Sequence, residues 1–381
     1  MATRRIVATA VACVACAASL IAPLAASAST PDTDSSPAFV ATIEPLTDSL
    51  AAELTGVSWH DGCPVALADL RLVTMPHLGF DGAVHEGELV VHAAVAGDVA
   101  TVFGGLLARG FPIARMERVE SFAGDDDASM AADNTSAFNC REITGGGAFS
   151  IHSWGMAIDV NPVRNPYVKG TTVLPTDGLA FLDRTDIRPG MIIADDAVVA
   201  AFAAAGFEWG GSWTRLQDYQ HFEIPEPEAV AASYVAPPGS QGAAAVAPCS
   251  AGTPDSAAWS GELWSYVDTA DGSIDVAEFN EFLAGQPAGV AGPCDAARVL
   301  LHLDRPDPQA TAVVVDTQPV AGGAVVTVTL DGLLDDSVAA VRYIFEMTAL
   351  PVAPVQITTG SWSQRCQPGR GHEDFSTELC V

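Results

Sequence analysis

Runs and alternations of apolar residues divide this chain into segments. Ile6 to about Ala26 is almost continuously apolar, follows Arg4 and Arg5, and ends in Ala26-Ser27-Ala28. A charged start, an apolar middle and a small-residue end are the order of a secretory signal. Residues 1–28 are therefore expected to be removed on export and to take no part in the fold. Residues 29–40 form a Pro/Ser-rich linker, and residues 236–258 repeat that character. They bracket a domain expected at 41–235 and leave a smaller one at 259–381, both of ordinary domain size.

Within the first domain, Glu88 to Ala94 alternates like a strand, with Leu89, Val91 and Ala93 on one face. Asp98 to Ala108 has helical spacing and is closed by Gly110, and Asp195-Asp196 opens a second helix that Gly206 closes. In the tail, Ala258 to Val267 reads as a helix, and Asp275 and Glu278 frame a capping box for another. Thr311 to Asp316, Ala324 to Leu330 and Val355 to Thr359 read as strands, and Asp336 to Met347 as a helix. Helices and strands mix without a βαβ rhythm, so the class expected is α+β, with a second small α+β unit at the C-terminus.

Charge narrows the partners. The 381 residues carry 47 acids against 17 bases, a formal net charge of -30. Loss of Arg4 and Arg5 with the signal makes it -32, which excludes an electrostatic nucleic-acid binder and adhesion to an anionic membrane face. No stretch after the signal is long and apolar enough to span a bilayer, so no stable membrane insertion is expected. Export also sets the cysteine chemistry. Six of the eight cysteines follow residue 28, and an even count in an oxidising compartment reads as disulfides. Their positions along the domains suggest Cys63 with Cys140, Cys249 with Cys294, and Cys366 with Cys380.

The most informative stretch runs from Ser150 to Asn161. From Met156 it alternates, with Met156, Ile158 and Val160 on one face and Ala157, Asp159 and Asn161 on the other. Asp159 thus stands on a strand whose other face is apolar, where an unpaired carboxylate is expensive. His152 precedes Gly155, which can turn the chain so that imidazole and carboxylate converge. Further on, Asp218-Tyr-Gln-His221-Phe-Glu223 supplies a second imidazole and another carboxylate. Two imidazoles and one carboxylate are a catalytic ligand set for zinc that leaves a position for water, and a nearby carboxylate such as Asp218 can take that water's proton.

These residues resemble a known family. SxHxxGxAxD followed by DxxHFE, together with Asn139-Cys140-Arg141, Asn161-Pro162, Asn165-Pro166-Tyr167 and Pro189-Gly190-Met191-Ile192, is similar to the zinc peptidases of the D-alanyl-D-alanine carboxypeptidase and L-alanyl-D-glutamate endopeptidase group, family M15. The resemblance covers residues from about 40 to 235 and leaves the tail uncovered. It implies a mainly antiparallel sheet with surrounding helices, of the kind shared with hedgehog-like domains. It also implies Zn2+ on His152, Asp159 and His221, with Asp218 as the catalytic carboxylate. Arg141 matches an arginine that binds substrate or the developing oxyanion, and Ser150 a residue that contacts the peptide. Aspartate rather than glutamate at 218 favours the endopeptidase-like branch. The implied substrate is a peptidoglycan stem peptide at the wall outside a bacterial cell, cut either at a terminal D-alanine or within the stem. The alternative is a catalytically degenerate wall-binding protein acting through its tail.

Other acidic and histidine features read as structural. Asp125-Asp126-Asp127 is expected as a solvated turn, because the ligands of a calcium loop alternate along the chain. Residues 267–278 resemble a calcium loop, but Val267 and Thr269 stand at its first and third ligand positions. Arg141 can also be read as an ion-pair residue beside Cys140, Glu223 as either the hydrogen-bond partner of a ligating histidine or a solvated surface group, and Trp154, Trp209 and Trp213 as packing.

Overall fold

The structure is a computed structural model. It describes residues 39–143 and 146–234 and, beyond them, 259, 272–285, 292–303, 310, 312–320, 323–333, 337–348, 355–372, 374–378 and 380. The signal, residues 29–38 of the first linker, the second linker, the helix read at Ala258 to Val267 apart from Trp259, and Cys249 lie outside the described residues; Phe39 and Val40, read as the end of the first linker, begin a strand. No helix among the described residues is long and apolar enough to cross a membrane.

The chain enters as β1 (Phe39–Pro45), turns through α1 (Asp48–Leu54), and forms the antiparallel hairpin of β2 (Leu70–Leu78) and β3 (Val84–His92). Helix α2 (Ala96–Ala108) then crosses one sheet face and buries Val99, Val102, Phe103 and Leu106. It lies so close that a Cβ on Gly104 would come within 3.0 Å of Ala312 and the Phe39 ring, which explains a glycine in mid-helix. Smaller elements follow: β4 (Arg115–Met116) pairs in parallel with β5 (Asn134–Thr135) across α3 (Asp126–Ala131).

The site is built on the next run of short strands. These are β6 (Ala157–Asp159), β7 (Tyr167–Lys169), β8 (Thr172–Leu174), β9 (Glu208–Trp209), β10 (Gln217–Asp218) and β11 (His221–Glu223), with α4 (Ala197–Ala204) ahead of β9 and α5 (Pro227–Ser233) after β11. They make two three-stranded sheets, β6-β11-β9 and β10-β7-β8. Asp196 caps α4 by accepting from the Val198 and Val199 amides, and Gly206 at φ +84° follows its end, as its sequence predicts.

In the C-terminal third, α6 (Ala277–Gly285) starts behind Asp275, whose Oδ1 accepts from the Ala277 amide. It is followed by α7 (Pro293–Leu300) and by β12 (Ala312–Val320), β13 (Gly323–Asp331), β14 (Val338–Thr348) and β15 (Gln356–Cys366). These four strands extend the N-terminal sheet. β12 runs parallel to β1, with Phe39 opposite Ala312 and Ile43 opposite Asp316, and the order is β15-β14-β13-β12-β1-β2-β3. β12 is apolar on both faces: Ala312 and Val314 join the core under α2, while Val313 and Val315 join a second core with α6 and α7. A strand buried on both sides belongs inside a sheet.

Residues 338–348 correct one expectation. They form a strand, not the helix read at Asp336 to Met347. Tyr343, Phe345 and Met347 are buried at a period of two between β13 and β15, and aromatic and branched residues at that period pack better on a pleated surface than on a helix. The disulfides Cys63–Cys140 and Cys366–Cys380 are present; the expected pairing of Cys294 involves Cys249, outside the described residues.

Candidate metal centre

Three local devices bring the predicted residues together. His152 lies in a 3-10 turn, Ile151–Trp154, with the Ser150 hydroxyl at its start accepting from the His152 amide at 3.4 Å. The turn ends at Gly155, φ +65°, where a Cβ would sit 2.7 Å from the His92 amide nitrogen, so only glycine fits. Asp159 and His221 are directly opposite each other in the antiparallel β6–β11 pair, which puts their side chains on one face at cross-strand contact distance. On the other face of that pair, Ile158 and Phe222 enter the core, and Phe222 stacks on Phe202 of α4 at 3.9 Å. Burial of that face holds the register that aims Asp159 and His221 into the cleft.

The result is a buried group of two imidazoles and a carboxylate. Asp159 Oδ1 is 2.9 Å from His221 Nδ1, Asp159 Oδ2 is 3.2 Å from His152 Nε2, and the two ring nitrogens are 3.2 Å apart. The outer ring nitrogens are also occupied. His152 Nδ1 donates to the Ala137 carbonyl at 2.6 Å, and His221 Nε2 donates to Glu223 Oε2 at 2.9 Å. With the outer nitrogens so bonded, the inner nitrogens, His152 Nε2 and His221 Nδ1, are the ones left for a metal, and two bonded outer nitrogens are the usual arrangement around histidine metal ligands. The group suits a cation chemically: three donor atoms, from two imidazoles and a carboxylate, all lie within 4.8 Å of one another.

Electrostatics point the same way. Burial opposes charge on His221, but its hydrogen bonds to Asp159 and Glu223 outweigh that and raise it to about 10. Burial likewise opposes ionisation of Asp159, yet the imidazoles of His152 and His221 hold it well below the usual carboxylate range. A proton on His221 thus does a cation's work in the metal-free protein. A metal taking Nδ1 must expel it, so metal binding at pH 8 is expected to release about one proton per site. Calorimetry in buffers of different ionisation enthalpy measures that number. Glu223→Ala removes the acceptor that orients His221, and is expected to weaken metal affinity roughly 10- to 100-fold with the three candidate ligands intact; competition with a chromophoric chelator reads it.

Asp218 lies in β10, opposite Tyr167 of β7. A Cβ on Gly210 would come within 2.8 Å of the Asp218 carbonyl oxygen, so glycine there lets the chain close over it. Asp218 Oδ1 is buried with no hydrogen-bond partner. Burial pushes the carboxyl up to about 7, with the charge of Asp159 adding to the rise and His221 opposing it. A carboxyl with one oxygen left without a partner, ionising near neutrality in the same cleft as the candidate metal group, suits a general base.

Arg141 and Ser150 both line this cleft of about 470 Å³. The Arg141 backbone is tied to the histidine turn, its amide donating to Ser153 Oγ and its carbonyl accepting from the Ser150 amide. Its guanidinium makes a 2.7 Å ion pair with Asp126. That corrects the reading of residues 125–127 as a solvated turn. Asp125 caps α3 through the Ala128 amide, and Asp126 faces the cleft beside Arg141.

The structure also adds cleft residues that sequence reasoning left out. Trp213 lies 5.6 Å from the His221 ring, and Tyr167, Lys169 and Phe149 form other parts of the wall. Tyr167 belongs to the Asn165-Pro166-Tyr167 motif, which could have flagged it; Lys169 and Phe149 have no local signature. Trp154 and Trp209 pack in the core as expected. The remaining His/Cys groups among the described residues, around His60 and around His372, have their cysteines joined in disulfides.

Residues 144–224 match a protein-family model described as D-alanyl-D-alanine carboxypeptidase. The matched segment holds His152, Asp159, His221, Ser150 and Asp218, and begins just after Arg141. No curated protein and no solved structure matches the chain.

Proposed function

We propose that this chain, whose residues 144–224 match the family model described as D-alanyl-D-alanine carboxypeptidase, is an exported zinc peptidase of family M15 that hydrolyses peptide bonds in peptidoglycan stem peptides. The observation that carries the zinc reading is the convergence of His152 Nε2, the Asp159 carboxylate and His221 Nδ1, each within 3.2 Å of the next. Those residues would hold the ion. Bound zinc supplies Lewis acidity towards the scissile carbonyl and acidifies water.

The chain's own groups do the rest. Asp218 Oδ1, free of any hydrogen bond, accepts the proton of the attacking water and passes it to the departing amine. Glu223 and the Ala137 carbonyl hold both imidazoles in the productive tautomer. Arg141, fixed by Asp126, and Ser150 present donors along the cleft wall. Export rests on residues 1–28 and on the disulfides, which suit an oxidising compartment.

The test is mass spectrometry of products from purified muropeptides incubated with the protein, with and without a chelator. Products that carry a new carboxyl and amine and vanish on chelation are expected. Undiminished cleavage after complete metal removal would rule the zinc reading out.

A further inference from the structure

The two cations of the cleft are not equivalent. Arg141 already has a carboxylate, Asp126, at 2.7 Å. Lys169 also lines the cleft, is exposed, and has no ion pair with any acid among the described residues. It is the single lysine of the sequence; the other 16 basic residues are arginines. It is therefore a free positive charge in a cleft whose wall also holds Asp126, Asp159, Asp218 and Glu223.

Its position follows from strand register. Tyr167 faces Asp218 across the β7–β10 pair, and Lys169 lies two residues further along β7. Residues two apart share a face, so both point into the cleft, roughly 7 Å apart along the strand. The platform is short and closed, since Gly170, at φ +61°, turns β7 straight back into β8. Asp218 hands its proton to the departing amine, so the departing residue lies against the Asp218–Tyr167 pair. One extended residue spans about 3.5 Å. The far end of a single departing residue, plus the reach of a lysine side chain, covers the distance to Lys169.

We infer that Lys169 anchors a free carboxylate on the departing residue, which makes this chain an exopeptidase selective for peptides whose scissile bond is the last one. The inference rests on the peptidase reading of the same site and decides the choice between terminal and internal bonds against the endopeptidase-like branch that aspartate at 218 favours. An ammonium on a flexible stem suits a carboxylate that must leave after each turnover, because it binds as a point charge rather than through a rigid bidentate fork.

The test compares a pentapeptide ending in D-alanyl-D-alanine with its C-terminal carboxamide, using the full chain with zinc. A charge-assisted contact of this kind predicts a KM roughly 10- to 100-fold lower for the acid than for the amide. Lys169→Met is expected to collapse that ratio to near one, and Lys169→Arg to restore most of it. Binding of both peptides to Asp218→Asn by calorimetry separates the two levels. Acid-selective, Lys169-dependent binding without hydrolysis by the wild type keeps the anchor and overturns the peptidase reading. Hydrolysis with equal KM for acid and amide, or a ratio unmoved by Lys169→Met, keeps the peptidase and overturns the anchor.

Discussion

Asp218→Asn is expected to retain its zinc and to lose roughly 10²- to 10⁴-fold in turnover, the range a positioned general base supplies. His152, Asp159 and His221 are untouched, so metal content separates this variant from a misfolded one. It should also be more stable than the wild type in the metal-free state at neutral pH. The Asp218 carboxyl is raised by burial to about 7 in the folded chain, against about 4 for an exposed aspartate. A raised acid favours folding of the protonated form, so stability is present below about pH 4 and is lost as pH rises through about 7. Asparagine does not ionise, and the loss across that window, on the order of a few kcal/mol, should disappear. Chemical denaturation of both proteins at pH 4.5 and 8 checks the sign, and a stabilised, inactive variant is the signature of a group kept for chemistry.

His152→Ala is expected to abolish both bound zinc and activity. It removes one of three donors, and it also removes the ring whose Nδ1 holds the Ala137 carbonyl at 2.6 Å. Activity should fall to background. Excess zinc should not restore it, since a two-donor site lacks the three protein ligands of a catalytic zinc centre. The pair of variants is diagnostic: Asp218→Asn keeps the ion and loses turnover, whereas His152→Ala loses both. Elemental analysis of dialysed protein beside a turnover assay distinguishes them.

The candidate metal group was legible because its residues are close in sequence to features that single them out. His152 and Asp159 share one turn and one strand, and Asp159 stands out as a carboxylate beside an apolar alternation. His221 and Asp218 are three residues apart, and only their convergence on Asp159 needed the fold. Glu223 could be read either way until its oxygen was seen 2.9 Å from His221 Nε2. Lys169 and Phe149 have no periodic or motif signature, and a cleft wall assembled from separate loops leaves no trace in a single stretch of sequence. Arg141 matched a substrate-binding arginine, but its ion pair with Asp126 depends on α3, whose acids read as a solvated turn.

At the level of fold, local patterns served where propensity and burial agreed. The caps at Asp196, Gly206 and Asp275 are of this kind. They failed at 338–348, where helical spacing and strand alternation coexist and the neighbours β13 and β15 decide. The apolar run of β12 signals a buried strand. Its parallel partner β1 is some 270 residues earlier in the chain, and no periodicity encodes a pairing at that distance.

The most direct measurement titrates zinc into the chelator-stripped full-length protein while hydrolysis of a pentapeptide ending in D-alanyl-D-alanine is followed. Turnover should rise from background and saturate at one equivalent of zinc per chain, with free D-alanine as a product and with Asp218→Asn flat throughout. Turnover that is present before zinc is added, or that never appears although one equivalent binds tightly, would contradict a zinc peptidase built on His152, Asp159 and His221.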